Sequence, residues 1–336
     1  MSLGTPRWWY QRRSGPMGAT RLLLTPLSWV WAGVTAWKIA VSKPVDPGAP
    51  VICVGNLTMG GTGKTPIVRA LMAHITALGV PVHGLSRGYG GRLPGPVEVD
   101  PERHTAQDVG DEPLLLALEG PVWVARDRAE GAAEAVISGA SIIVMDDGHQ
   151  NGSVAKALSL VVVDGETRDG EWPFGGGGVF PAGPMREPLK AGLARADAVV
   201  LLMPGDLGRP DPELLKLFGA TPVLVARLEP AQSPPRGRQL GFAGVGKPWK
   251  VERSLRAAGC ELIDFAAFPD HFAYDEATLQ ALHARALDAG AGLVTTEKDW
   301  VRLPPHWRGR VVAWPVRARF VDPSAVTALL KPVLPP

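Results

Sequence analysis

Two hydrophobic rhythms alternate along the chain. Short unbroken apolar runs fall at 51–54, 80–85, 122–125, 142–145, 160–163 and 198–203. They lack the in–out alternation of a half-solvated strand, so they predict strands of a parallel sheet covered on both faces. Between several of them apolar residues recur three and four apart, as in Ile67, Val68, Leu71, Ile75 and Leu78, which predicts helices with one buried face. Strand and helix in turn define a doubly wound α/β domain, whose ligands sit at the carboxyl ends of the strands. Prolines then gather at 204, 210, 212, 222, 230, 234 and 235 and predict a hinge. Beyond it, runs at 239–243, 262–265, 293–296 and 311–314, with helical patterns at 249–258, 275–289 and 322–330, predict a second, smaller α/β unit. The chain divides into 1–45, 46–235 and 236–336.

The first 45 residues break this pattern. They hold Arg7, Arg12, Arg13, Arg21, Lys38 and Lys43, no acidic residue, and tryptophans at 8, 9, 29, 31 and 37. The apolar run at 22–37 contains Pro26 and is shorter than the roughly 20 residues a membrane span requires. Basic flanks around tryptophan-rich apolar sequence suit the headgroup layer and predict a membrane-associated helix, with the body on the cytoplasmic side. A true span and ordinary packing on the domain are the alternatives. The whole chain of 336 residues carries a net charge of only +2, so nothing calls for nucleic acid. Its two cysteines lack metal-site spacing and read as reduced cytosolic thiols.

Chemistry enters at the first strand end. Thr58, Met59, Gly60, Gly61, Thr62, Gly63, Lys64 and Thr65 stand between strand and helix, the setting of a phosphate-binding P-loop. The glycines let backbone N–H groups converge on phosphate, and the helix N-terminus adds positive charge. Lys64 is placed for the β- and γ-phosphates of ATP and Thr65 for Mg²⁺. Thr58 stands where the usual pattern has its first glycine. A second strand ends in Asp146 and Asp147, the acids that would hold that Mg²⁺. Arg128, after the strand at 122–125, is a candidate nucleotide contact or a solvated helix charge. The cluster from Asp108 to Pro113 either caps a helix or carries function. His271, beside Asp270 at a strand end, is either structural or catalytic.

Read together, these clusters resemble the tetraacyldisaccharide 4'-kinase family of lipid A biosynthesis. The resemblance covers Thr25-Pro26-Leu27-Ser28, the P-loop with Gly55-Asn56-Leu57 before it, Leu85 to Gly90, Val109-Gly110-Asp111-Glu112-Pro113, Asp146-Asp147-Gly148, Pro181 to Pro188, Phe242 to Gly246, Phe268-Pro269-Asp270-His271 and Thr295-Thr296-Glu297-Lys298-Asp299. It implies transfer of the ATP γ-phosphoryl group to the 4'-hydroxyl of a tetraacylated glucosamine disaccharide 1-phosphate, giving lipid IVA at the cytoplasmic face of the inner membrane. It also implies that Asp111 and His271 form the catalytic dyad, with Asp111 the base and histidine its tuning partner. Arg87, Gln150, Asn151, Arg186 and Glu187 are the candidate substrate contacts. Against the family pattern, Gly148-His149-Gln150-Asn151 replaces Gly-Phe-Gln-His, Phe272 replaces a second histidine, and Gly176 and Gly178 replace asparagine and arginine. Asn151 thus removes an imidazole from the metal side, and His149 is the one residue nearby that offers another.

The rival class is a membrane-associated P-loop switch ATPase or GTPase acting on a protein partner. The partitioning type needs a lysine where Met59 stands. A guanine reader needs Asn-Lys-x-Asp, and Thr296-Glu297-Lys298-Asp299 lacks the asparagine.

Overall fold

The computed structural model describes residues 6–12 and 18–335. Of the N-terminal segment, residues 1–5 and 13–17, Arg13 among them, lie outside the described residues.

Among the described residues, thirteen strands build two sheets. In chain order they are β1 (Val51–Gly55), β2 (Val82–Ser86), β3 (Val97–Glu98), β4 (Val122–Val124), β5 (Ile142–Asp146), β6 (Leu158–Asp164), β7 (Ala198–Pro204), β8 (Val223–Pro230), β9 (Arg238–Ala243), β10 (Glu261–Ala267), β11 (Gly292–Thr296), β12 (Val311–Trp314) and β13 (Val316–Phe320). The large sheet runs β13-β8-β7-β6-β1-β5-β2-β4-β3 and the small one β10-β9-β11-β12. The small sheet is wholly parallel. In the large sheet only the two edge strands, β3 and β13, run antiparallel to their neighbours.

Burial on both faces explains the unbroken apolar runs. Alternate residues of one strand enter different cores. Ile52 and Val54 pack with Ile67, Leu71 and Ile75 of the helix Lys64–Ala77. Val51 and Cys53 pack with Ala132 and Ala135 of the helix Arg128–Ile137. Leu71 is completely buried, and its truncation to alanine would cost about 2–5 kcal/mol.

Two departures concern the division at 235. The proline-rich stretch expected to be a hinge contains β8, a full member of the large sheet. The chain also returns from the second unit, through β13, to pair with β8. The helix Pro323–Leu330 packs on the same core, through Val326 and Leu330. The last segment of the expected 236–336 unit therefore completes the first one.

The helix α1 (Gly18–Val41) inverts the usual amphipathic arrangement. Its inward stripe is Arg21, Leu24, Thr25, Ser28, Ala32, Thr35 and Ile39, spaced at helical period and mostly small or polar. Its outward face exposes Leu22, Leu23, Leu27, Trp29, Val30, Val34 and Trp37. Among the described residues, no helix is long and apolar enough to cross a membrane.

Candidate active site

The cradle is assembled from one short stretch. β1 ends at Gly55, and α2 (Lys64–Ala77) begins at Lys64. Gly63 turns the chain between them with φ +82°, a left-handed conformation in which a Cβ would also run into Leu202. Asn56, fully buried, closes the loop: its Nδ2 donates to Thr58 O at 2.8 Å and to Thr62 Oγ1 at 3.0 Å. Met59 N donates to Pro184 O, and Tyr10 donates its hydroxyl to Met59 O at 2.5 Å. With Thr58 bridged to Met185, the opening of the loop is held by backbone pairing where other P-loops have a glycine.

β5 delivers Asp146 and Asp147 beside this cradle. Asp147 has φ +51° and points at Lys64, whose Nζ lies 3.5 Å from its Oδ1. Arg186 grips the same carboxylate with two bonds, 2.8 and 3.2 Å long, and also donates to Thr58 O. Burial would raise the Asp147 pKa, but Lys64 and Arg186 outweigh it and hold it at about 2. Asp146 is the opposite case. It is 1% exposed and neither carboxylate oxygen has a protein partner. Burial, with Glu112 and Asp147 near, pushes its pKa up to about 7. A buried carboxylate with free lone pairs at the end of the strand next to the P-loop strand fits a hard divalent cation that takes its other ligands from phosphate, water and a hydroxyl such as that of Thr65. Among the described residues, no group of three or more His, Cys, Asp or Glu side chains could hold a metal alone.

The second half of the site comes from both sheets. Asp111 opens the helix Asp111–Leu116. His271 Nδ1 lies 3.1 Å from Asp111 Oδ2. Arg302 Nε donates to that same oxygen at 2.6 Å, and Oδ1 accepts from Glu112 N at 2.8 Å. His271 is held at φ +59°, with its N–H donating to Gly244 O at 3.2 Å. Arg302 donates to Gly244 O as well, and to Asp299, which is completely buried. Burial pulls the Asp111 pKa up, yet Lys298, His271 and Arg302 together hold it well below the usual carboxylate range. Lys298 bridges Glu112 and Asp270, at 3.2 and 3.7 Å. Gly246 brings the second unit against the P-loop: a Cβ there would sit 2.9 Å from Gly61 N.

The other candidates divide. Arg128 is buried and donates to Ala125 O at 2.6 Å, its pKa lowered by burial to about 10 with Asp146 opposing. Arg87 stays exposed at the end of β2. Gln150 donates to Asn56 O and to Glu187, and so ties the cradle to the arginine loop. Glu187 itself is buried and held by Arg195 with two bonds of 2.7 Å. Asn151 accepts from Ser153 in a local turn. His149 is buried between Ser159 and Gly192 O, so it does not replace the imidazole that Asn151 removes. These last three build the walls. Asp108 does not cap the helix that opens at Asp111; it closes a capping box in the preceding short helix Ala106–Val109, accepting from Thr105 N and Thr105 Oγ1. Asn56 and Arg302 were not singled out. A polar residue at the end of a buried strand was a usable signal for Asn56, whereas nothing local marks Arg302.

Two cavities flank these groups. One of about 560 Å³ is walled by Gly61, Thr62, Gly63, Leu202 and Lys247. The other, about 420 Å³, is walled by Tyr89, Asp111, His271, Tyr274 and Arg302.

A doubly wound sheet with a glycine cradle and a free buried aspartate at its strand ends, and a histidine–aspartate pair that joins it to the second unit, defines a P-loop phosphotransferase. The chain belongs to the tetraacyldisaccharide-1-P 4'-kinase family, LpxK, whose profile matches residues 20–335. It is 68% identical to the tetraacyldisaccharide 4'-kinase of Caulobacter vibrioides (strain NA1000 / CB15N), over 98% of this chain and 99% of that one. It is 65% identical to the same enzyme of Phenylobacterium zucineum (strain HLK1) and 48% to that of Maricaulis maris (strain MCS10), each over 98% of this chain. The fold is that of LpxK from Aquifex aeolicus, crystallised in complex with ATP: the TM-score is 0.72 at 24% identity, over 94% of this chain and all of that one.

Proposed function

We propose that this protein transfers the γ-phosphoryl group of ATP to the 4'-hydroxyl of a tetraacylated glucosamine disaccharide 1-phosphate, the step of lipid A biosynthesis that gives lipid IVA. The observation that carries the reading is the pairing of Asp111, at the start of a helix of the first unit, with His271, from the loop after β10 of the second, next to the cradle that ends at Lys64. Phosphates on Gly61–Gly63 place the nucleoside in the 560 Å³ cavity that those glycines wall. Lys64 and Arg186, already paired with Asp147, lie where charge spreads onto the transferring group and stabilise it there. Thr65 and Asp146, with Asp147 beside them, would hold Mg²⁺, which would neutralise the β- and γ-oxygens.

A sugar hydroxyl is barely ionised at neutral pH, so the attack needs a proton acceptor. Asp111 was expected to be that base. Its carboxylate already accepts from Glu112, Arg302 and His271, which makes it a poor one. His271 takes the role: Nδ1–H donates to Asp111, which fixes the ring, and Nε2 receives the hydroxyl proton. The acyl chains reach the enzyme from a membrane. The outward face of α1, apolar and rich in tryptophan, lies in the headgroup and upper acyl layer on the cytoplasmic side of the inner membrane.

The test uses purified protein, ATP radiolabelled at the γ-phosphate, Mg²⁺ and the acylated disaccharide 1-phosphate in detergent micelles. Label should appear in the lipid. ATP turnover without labelled lipid, stimulated by a protein partner, would favour the switch class. Deleting residues 1–43 should release the protein from vesicles at raised salt; unchanged co-sedimentation would place docking on another surface.

A further inference from the structure

Ser28 of the inward stripe of α1, the half-exposed Trp31 beside it and the residues just past the helix touch both loops that carry the paired residues Asp147 and Arg186. On the arginine loop, Ser28 Oγ donates to Val179 O at 2.8 Å and accepts from Ala182 N at 3.1 Å. Trp31 Nε1 donates to the carbonyl of Arg186 itself at 3.0 Å, and its ring lies 4.8 Å from that of Phe180. On the aspartate loop, Ser42 packs against Gly152, leaving no room there for a Cβ. Just past the helix, Val45 N donates to Ser153 O and Val45 O accepts from Ala155 N, both at 2.9 Å. An apolar anchor needs none of this. Membrane affinity depends on buried apolar area and basic charge, and polar groups turned inward add nothing to it.

We infer that α1 is a brace for the catalytic Asp147–Arg186 pair as well as a membrane contact, with Trp31 and Ser28 as positioning residues. The inference rests on the kinase reading and adds that one face of α1 serves turnover while the other serves docking. Arg186 has two attachments beyond its side chain. Its N–H donates to Leu57 O at 2.8 Å, which fixes it to the cradle, and its carbonyl is held by Trp31. Loss of the second lets the loop from Val179 to Arg186 drift relative to Asp147, while the P-loop glycines stay in place.

Trp31→Phe keeps an aromatic ring on the Phe180 side and removes the N–H, with some loss of ring area. Ser28→Ala removes both hydroxyl bonds to the arginine loop, along with the contact to Leu24 O within the helix. Each should lower kcat about fivefold, the worth of one ordinary hydrogen bond, with KM for ATP and co-sedimentation with anionic phospholipid vesicles unchanged. On an Arg186→Ala background the Trp31→Phe effect should vanish, because the group it positions is gone. The brace is overturned if kcat is unchanged in both variants, if the same fold loss persists without the arginine side chain, or if vesicle binding alone falls. A wild-type protein that labels no disaccharide counts against the kinase reading and takes the brace down with it. Normal wild-type turnover with indifferent variants counts against the brace alone.

Discussion

The phosphate cradle and the Asp111–His271 pair are built in opposite ways. The cradle is ten consecutive residues, 56–65, closed by its own Asn56 and fixed at its start by backbone bonds to Met185 and Pro184. The pair joins residues 160 positions apart, and its geometry depends on Arg302, Asp299 and Gly244 of the second unit. One part is a contiguous stretch anchored by loops of its own unit; the other exists only when two sheets are docked. The cradle should therefore tolerate disturbance of the second unit, and the pair should not.

The sharpest break of that comparison is at Lys64. Lys64→Ala removes the charge that meets the transferring phosphoryl group and leaves the backbone cradle whole. We expect kcat to fall about 1000-fold with a smaller change in ATP affinity. Wild-type turnover would refute the assignment of the loop. Next come Asp111→Ala and His271→Ala, each expected to cost about 300-fold in kcat with KM for ATP intact. The double variant should be little worse than either single one, since the two act as a unit. Full additivity would separate them.

The same contrast governs how much could be read in advance. A P-loop is contiguous and flanked by a buried strand and an apolar-periodic helix, so both the motif and its setting lie within one stretch. Asp146 was legible for the same reason. His271 and Asp111 were paired only through resemblance, because nothing in either segment points to the other. Arg302 was illegible altogether: its role comes from where β11 and the loop after β9 place it. β8 and β13 were missed for a related reason. β8 alternates in burial and is flanked by Pro222 and Pro230. β13, Val-Arg-Ala-Arg-Phe, is a half-exposed edge strand that follows Pro315 directly. Such edges carry a weak version of the signal that marks a strand covered on both faces.

A third test strikes the joint between the units. Asp164, at the end of β6, accepts from Lys247 at 2.7 Å and Lys250 at 2.8 Å, both at the start of the helix Pro248–Ala257. Burial would raise its pKa, but Lys250 and Lys247 outweigh that and hold it well below the usual carboxylate range. A folded pKa below the unfolded value means that the stabilisation is full above the unfolded pKa of about 3.9 and is lost as pH falls below it. Asp164→Asn takes the carboxylate away from two mostly buried ammonium groups, leaving Lys247 only Glu171 at 3.6 Å, and should cost about 3 kcal/mol at pH 7. A thermal melt at that pH should show it, and the gap between variant and wild type should close on acidification below pH 4. A constant gap would mean that the clamp is not ionic. Because Asp164, Lys247 and Lys250 also wall the cavity assigned to the nucleoside, the variant should weaken ATP binding as well as lower kcat.

The smallest effect tests the self-sufficiency of the cradle. Asn56 Nδ2 supplies the loop's internal closure through Thr58 O and Thr62 Oγ1, and its own carbonyl accepts from Gln150. Asn56→Ala removes the first two bonds and keeps the third. A loop left open at that point still has the helix N-terminus and the left-handed turn at Gly63, so it binds phosphate less tightly without losing its shape. The expected change is about tenfold in KM for ATP, the equivalent of one to two hydrogen bonds, with kcat altered less. A fall confined to kcat would show that Asn56 acts through Gln150 on the arginine loop, and the cradle would then depend on distant parts of the chain as the Asp111–His271 pair does.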